Sequence, residues 1–247
     1  TMAGPAAPEA PKGKTVIKNV GLMLSGALEN PVLDADTLIA VDGRITAFGM
    51  EKDLDTDQAD VTIDAPGPAL CPGLIDSHVH PVFGDWTPRQ NQTNWIDSSM
   101  HGGVTTMISA GEVHLPGRPK DPKGVVALAI TAQRCFSAFP IGGVKMHAGA
   151  PILEKGMVEE DFKEMSEAGV KLLGEIGLGG VNAGQDAKQM VDWARKYGIQ
   201  STIHTDRPLL PGPGPIDTAV GPQAGRDHIA HYNDGPHALT TEPHGCP

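Results

Sequence analysis

From Pro68 onward the chain repeats one rhythm: a short apolar strand, a loop, an amphipathic helix, then another strand. Strands are expected over residues 69–75, 104–109, 143–147, 170–176, 200–204 and 228–231. Asp121-Pro122 reads as an N-cap followed by proline at the first helical position, opening a helix over 125–136. A second helix, 159–168, is acidic at its start and stops at Gly169. A third, 186–197, places Met190, Val191, Ala194 and Tyr197 on one face and stops at Gly198. Strands that alternate with helices reconnect through right-handed crossovers, so the sheet is mainly parallel. The expected class is α/β. Six strands are legible where a closed barrel needs eight, and the segment is shorter than the ~200 residues of a complete one, so either two units are missing or the last segment is not folded as a barrel.

Upstream the pattern differs. Residues 14–68 read as a small β-sandwich module of short strands and tight turns, with strands over 15–20, 37–41, 44–49 and 61–64. Asp42-Gly43 between two of them suits the left-handed turn of a β-hairpin. Residues 1–13 read as a disordered leader without the charged and apolar regions of a signal peptide. The barrel segment is assigned to 69–236 and an irregular tail to 237–247, with a Pro/Gly-rich loop over 208–222.

Composition narrows the class of partner. The net charge of −11 and the lack of a long basic run argue against nucleic acid and anionic membrane. No apolar stretch approaches the ~20 residues of a membrane helix. Cys71, Cys135 and Cys246 are too sparse for a disulfide framework and suit the cytoplasm. Aromatic residues are only 4% of the chain, so the core must rest on Val, Ile, Leu, Met and Ala.

The chemistry begins at Pro72-Gly73-Leu74-Ile75-Asp76-Ser77-His78-Val79-His80. Residues i and i+2 of a strand point to one face, so His78 and His80 can reach one metal ion together. They stand at the carboxyl end of a strand, where α/β barrels collect catalytic groups. A hydrolytic metal needs about three protein ligands and an open position for water. Glu175 is a carboxylate inside an otherwise apolar strand. It is either a satisfied core glutamate or a ligand between cations, since a buried unpaired carboxylate is costly. His204 and His231 end the last two strands, each roughly one βα unit of about 30 residues further on. Successive units would present Glu175, His204 and His231 at one rim, although each histidine alone also suits a core role. His114 and His147 are candidates for a substrate pocket or for surface roles. Arg89, Arg118 and Lys120, in loops after the first two strands, either hold a substrate carboxylate or are solvated charges. Cys71 reads as a core residue rather than a nucleophile, with no base nearby in sequence.

This arrangement resembles the amidohydrolase superfamily of metal-dependent hydrolases. The runs His101-Gly102-Gly103-Val104-Thr105-Thr106-Met107-Ile108-Ser109-Ala110-Gly111, Pro116-Gly117-Arg118-Pro119-Lys120-Asp121 and Gly174-Glu175-Ile176-Gly177-Leu178-Gly179 resemble its enamidase group of cyclic-amide hydrolases. The resemblance implies an amidohydrolase-type (β/α)8 TIM barrel, incomplete in this chain, with a small N-terminal β-sandwich module. It implies a binuclear Zn2+ and/or Fe2+ centre, one ion on His78 and His80, the other on His204 and His231, with Glu175 bridging. Lys145 is not needed as a carboxylated bridging lysine, because Glu175 takes that place. Glu175 and His204 are the expected catalytic groups. Metal-activated hydroxide would open a tetrahydro-6-oxonicotinate-type lactam in a homo-oligomeric enzyme. The alternatives are a dihydroorotase-like or imidazolonepropionase-like enzyme, or an inactive metal-binding remnant. The family's aspartate after strand eight has no counterpart before Pro247, so the chain reads as C-terminally truncated and low activity is expected.

Overall fold

In the computed structural model the described residues are 12–81, 92–111, 117–138, 140–177, 179–181, 185–204 and 228–230. The leader, the Pro/Gly-rich loop and the tail lie wholly or mostly outside them. The chain divides into two compact units between Gly73 and Leu74.

The first unit is all β. Its strands are β1 (Lys14–Lys18), β2 (Leu22–Leu24), β3 (Val32–Leu33), β4 (Thr37–Val41), β5 (Arg44–Gly49), β6 (Val61–Asp64) and β7 (Ala69–Leu70). They form a four-stranded sheet of order β5-β4-β1-β6 and a three-stranded sheet of order β3-β2-β7. The β4–β5 hairpin turns through Asp42 and Gly43 with φ of 52° and 74°, the left-handed pair expected from the Asp-Gly signal.

The second unit alternates. It runs β8 (Leu74–Val79), α1 (Gln92–His101), β9 (Val104–Ser109), α2 (Pro122–Ala138), β10 (Lys145–His147), α3 (Glu159–Glu167), β11 (Leu172–Ile176), α4 (Gln185–Lys196), β12 (Gln200–His204) and β13 (His228–Ala230). Every strand pair here is parallel, in two three-stranded sheets ordered β10-β9-β8 and β11-β12-β13. Backbone bonds link them at the rim: Gly174 N–H donates to Pro151 C=O at 2.9 Å, and Glu175 N–H to Ala110 C=O at 2.7 Å.

The expected strand over 69–75 is corrected. It is two strands in two units: Ala69–Leu70 pairs with β2, and the barrel-type strand is Leu74–Val79. Pro72 has no N–H to give a ladder, so the apolar run breaks at Pro72-Gly73. Cys71 falls in that break and is exposed, not core. The strand expected over 143–147 begins later, at Lys145, because Ile141–Gly143 forms a 3-10 turn.

The helices pack an aliphatic layer against the strands. Phe162 and Phe136 are the only aromatics among its buried described residues; Val, Ile, Leu, Met and Ala supply the rest, as the composition requires. Phe162 is fully buried beside Trp193, with ring centroids 5.9 Å apart. Helix α3 is fastened at its start by Asp161, whose carboxylate accepts the Val158 N–H at 2.8 Å. An acid at this position meets both an orphan donor and the positive end of the helix dipole. Asp161→Ala should therefore cost about 1 kcal/mol, read as a lowered urea midpoint at unchanged slope.

Candidate metal centre

The side chains of β8 alternate as a strand demands. Val79 points into an apolar cluster with Met107 and Met146, so His78 and His80 take the opposite face of that sheet. His78 lies within the strand and His80 just past its end. Their rings meet edge to face, 5.1 Å apart and 86° between planes. Glu175 reaches the same point from β11, where Leu173, Gly174 and Ile176 around it are buried. Its own side chain is only 1% exposed.

The three groups converge. His78 Nε2 is 3.5 Å from Glu175 Oε1, and His80 Nε2 is 3.3 Å from Oε2. Each residue offers one ligand atom, and these atoms lie within 4.8 Å of one another. Two donors placed ~2.1 Å from a tetrahedral ion stand roughly 3.4 Å apart, so these separations suit ligands arranged around a cation. The tautomer agrees. His80 Nδ1 is 2.9 Å from the Gly111 carbonyl, an acceptor that calls for a proton on Nδ1 and leaves Nε2 facing the cluster for a proton or a metal ion. Burial alone would lower the His80 pKa. The hydrogen bond to Glu175, the Gly111 carbonyl and the Glu175 charge outweigh it and raise the value. The carboxylate thus favours a cation on its imidazole neighbours, whether proton or metal. Two imidazoles and a buried carboxylate are a donor set for zinc or ferrous iron.

Other expected site residues fall differently. His204 closes β12, which runs parallel to β11 with Ile203 opposite Ile176, so its backbone stands at the same rim. The His204 side chain, and all of Arg89, His114 and His231, lie outside the described residues. Lys145 and His147 share the sheet face of His78 and His80, since Met146 between them turns to the apolar cluster. His147 does not join the three-residue group. Burial and then the Lys145 charge lower the His147 pKa. Arg118 is engaged in the protein itself: its Nη1 donates to Glu154 Oε1 at 3.0 Å, and both side chains are largely buried. That pairing sets Arg118 apart from a solvated loop charge. Lys120 is exposed. Glu154 escaped the sequence reading, although Pro151-Ile152-Leu153-Glu154 puts an acid after an apolar run much as the strand of Glu175 does.

No family model matches the chain. It is 47% identical over 230 residues to an enamidase of Eubacterium barkeri, covering 93% of this chain and 59% of that protein. A crystal structure of enamidase, described as a new member of the amidohydrolase superfamily, superposes with a TM-score of 0.84 at 46% identity, over 92% of this chain and 59% of that one. A dihydroorotase of Caldanaerobacter subterraneus is 24% identical over 175 residues, 70% of this chain and 38% of that protein. The chain thus spans less than two thirds of each of these relatives.

Proposed function

We propose that this chain belongs to the amidohydrolase superfamily and carries most of the metal-holding rim of a cyclic-amide hydrolase. The observation that carries this reading is the Glu175 carboxylate, buried between the Nε2 atoms of His78 and His80. His78 and His80 would hold one divalent ion, zinc or ferrous iron, and His204 and His231 a second, with Glu175 between the two. Bound there, such ions supply a nucleophilic water at neutral pH and polarise the amide carbonyl. Glu175 then sets the spacing of the two halves, and the Nδ1 bond of His80 keeps its ring aimed at them. His147, exposed on the same sheet face, offers a hydrogen bond to a bound ring.

Likeness to an enamidase favours a six-membered enamide lactam of the tetrahydro-6-oxonicotinate type over dihydroorotate, whose enzymes are more distant from this chain. A (β/α)8 barrel of the amidohydrolase type is the architecture this reading requires, and the first unit would be its β-sandwich. Among the described residues no helix is long and apolar enough to cross a membrane. A cytoplasmic homo-oligomer acting on a small molecule is the setting that fits.

The test is elemental analysis of the purified chain followed by a substrate panel. Zinc or iron should co-purify, dialysis against a chelator should remove it together with lactam opening, and added metal should restore both. Turnover of dihydroorotate without the enamide would replace the substrate assignment, and a chain that takes up no metal would sink the reading.

A further inference from the structure

Ser109, Ala110 and Gly111, at the end of β9, bond to Val79, His80 and Glu175, yet none of the three is a ligand. Ala110 N–H donates to the carbonyl of Val79, the residue between the two histidines, at 2.7 Å. Ala110 C=O accepts the Glu175 N–H, also at 2.7 Å. One residue therefore ties the His-x-His strand to the strand of the carboxylate through its N–H and its C=O. The next carbonyl, Gly111 C=O, takes the proton of His80 Nδ1 at 2.9 Å. The Gly111 N–H donates to Ser109 Oγ at 3.1 Å, and Ser109 is buried.

The turn is shaped for this. Gly111 has a φ of +126°, which residues with a Cβ rarely adopt. A Cβ there would stand 2.5 Å from Ile152 Cδ1 and 3.2 Å from the Gly174 Cα, so the turn lies hard against β11 beneath a buried isoleucine. Only with Gly111 held in this conformation does its carbonyl point back at His80. The Ser109 hydroxyl, accepting the Gly111 N–H inside the protein, is the side chain that holds it.

We propose that Ser109 and Gly111 are positioning residues for the metal centre: Ser109 fixes the turn, and the turn sets the tautomer and aim of His80 while clamping Glu175 opposite. The proposal rests on the metal-holding reading and deepens it. Its logic is that of an outer hydrogen-bond partner, which fixes which imidazole nitrogen remains free to bind.

The experiment uses the whole chain, its Ser109→Ala variant, and Ser109→Thr as the conservative partner that keeps the hydroxyl. Cobalt(II) affinity is measured by competition with a chromophoric chelator. The His80 tautomer is read from imidazole nitrogen shifts in metal-free protein above the imidazole titration range. Ser109→Ala should bind cobalt roughly 10- to 100-fold more weakly, with an altered visible spectrum. Its His80 should carry a smaller share of the Nδ1–H form than the parent, and Ser109→Thr should return both signals toward the parent. Gly111→Ala combined with Ile152→Val relieves the side-chain contact but keeps the backbone conflict, so it should show the same loss. Unchanged tautomer and unchanged cobalt affinity in Ser109→Ala would overturn the proposal, whatever happened to its stability. If the parent chain binds no cobalt, the metal reading fails, and the tautomer comparison still decides whether Ser109 orients His80.

Discussion

Glu175→Gln is expected to lower metal affinity by more than about 100-fold, beyond the loss typical of an outer partner, and to remove lactam hydrolysis with it. Glutamine keeps the volume and the planar head of the side chain, so the buried site need not repack. It loses the negative charge that draws a cation between His78 and His80, whose Nε2 atoms lie 3.5 and 3.3 Å from its oxygens. An amide also presents N–H donors, which satisfy an imidazole lone pair that a metal would otherwise take. The metal-free variant should therefore be no less stable than the parent, because a buried carboxylate has been replaced by a neutral group. The difference appears only with metal present. The parent should gain thermal stability as zinc is added, since a ligand that binds only the folded state shifts unfolding by mass action, and Glu175→Gln should not. Thermal scans with and without zinc read this directly. A variant that gains as much as the parent would remove Glu175 from the ligand set.

What was legible before the fold follows from the range of the forces involved. The side-chain period of a strand is local, so His78 and His80 announce a shared face within three residues. The misfit of Glu175 in Leu172–Ile176 is local too, because a charge in an apolar strand demands a partner wherever that partner lies. The break at Pro72-Gly73 was local and still misread. The apolar run continued through it, and hydrophobicity masked the missing N–H of Pro72. The turn at Ser109-Ala110-Gly111 could not be read, because its meaning lies in bonds to Val79 and Glu175 on other strands. Nothing in the local pattern of Ser109 separates it from any strand-ending serine. Arg118 and Glu154 show the same limit from the side of charge. They meet across 36 residues of sequence, and the chain alone shows only a loop arginine and a loop acid.

That ion pair supports the other large expectation, this time on stability. Glu154 accepts from Arg118 Nη1 at 3.0 Å through Oε1 and from the Gly180 N–H at 2.7 Å through Oε2. It joins the segments that follow β9, β10 and β11, and the last of these segments leads directly from Glu175. The side chains of Arg118 and Glu154 are 13% and 6% exposed, so water does little to screen either charge. Glu154→Ala leaves a buried guanidinium without its counter-ion and should destabilise the fold by about 3–5 kcal/mol. It also strips Gly180 of its acceptor, so it should cost more than Arg118→Met, which leaves that bond in place. The double variant Arg118→Met/Glu154→Leu removes both charges and should recover much of the loss, because a buried pair exchanged for apolar side chains is often close to neutral. Only the orphaned Gly180 N–H keeps it below the parent. Urea unfolding of these proteins, with the single variant Glu154→Leu added to close the cycle against Arg118→Met and the double variant, gives the coupling energy. A loss below about 1 kcal/mol for Glu154→Ala, in the range of an exposed pair, would mean that the two charges reach solvent and do not fasten the rim.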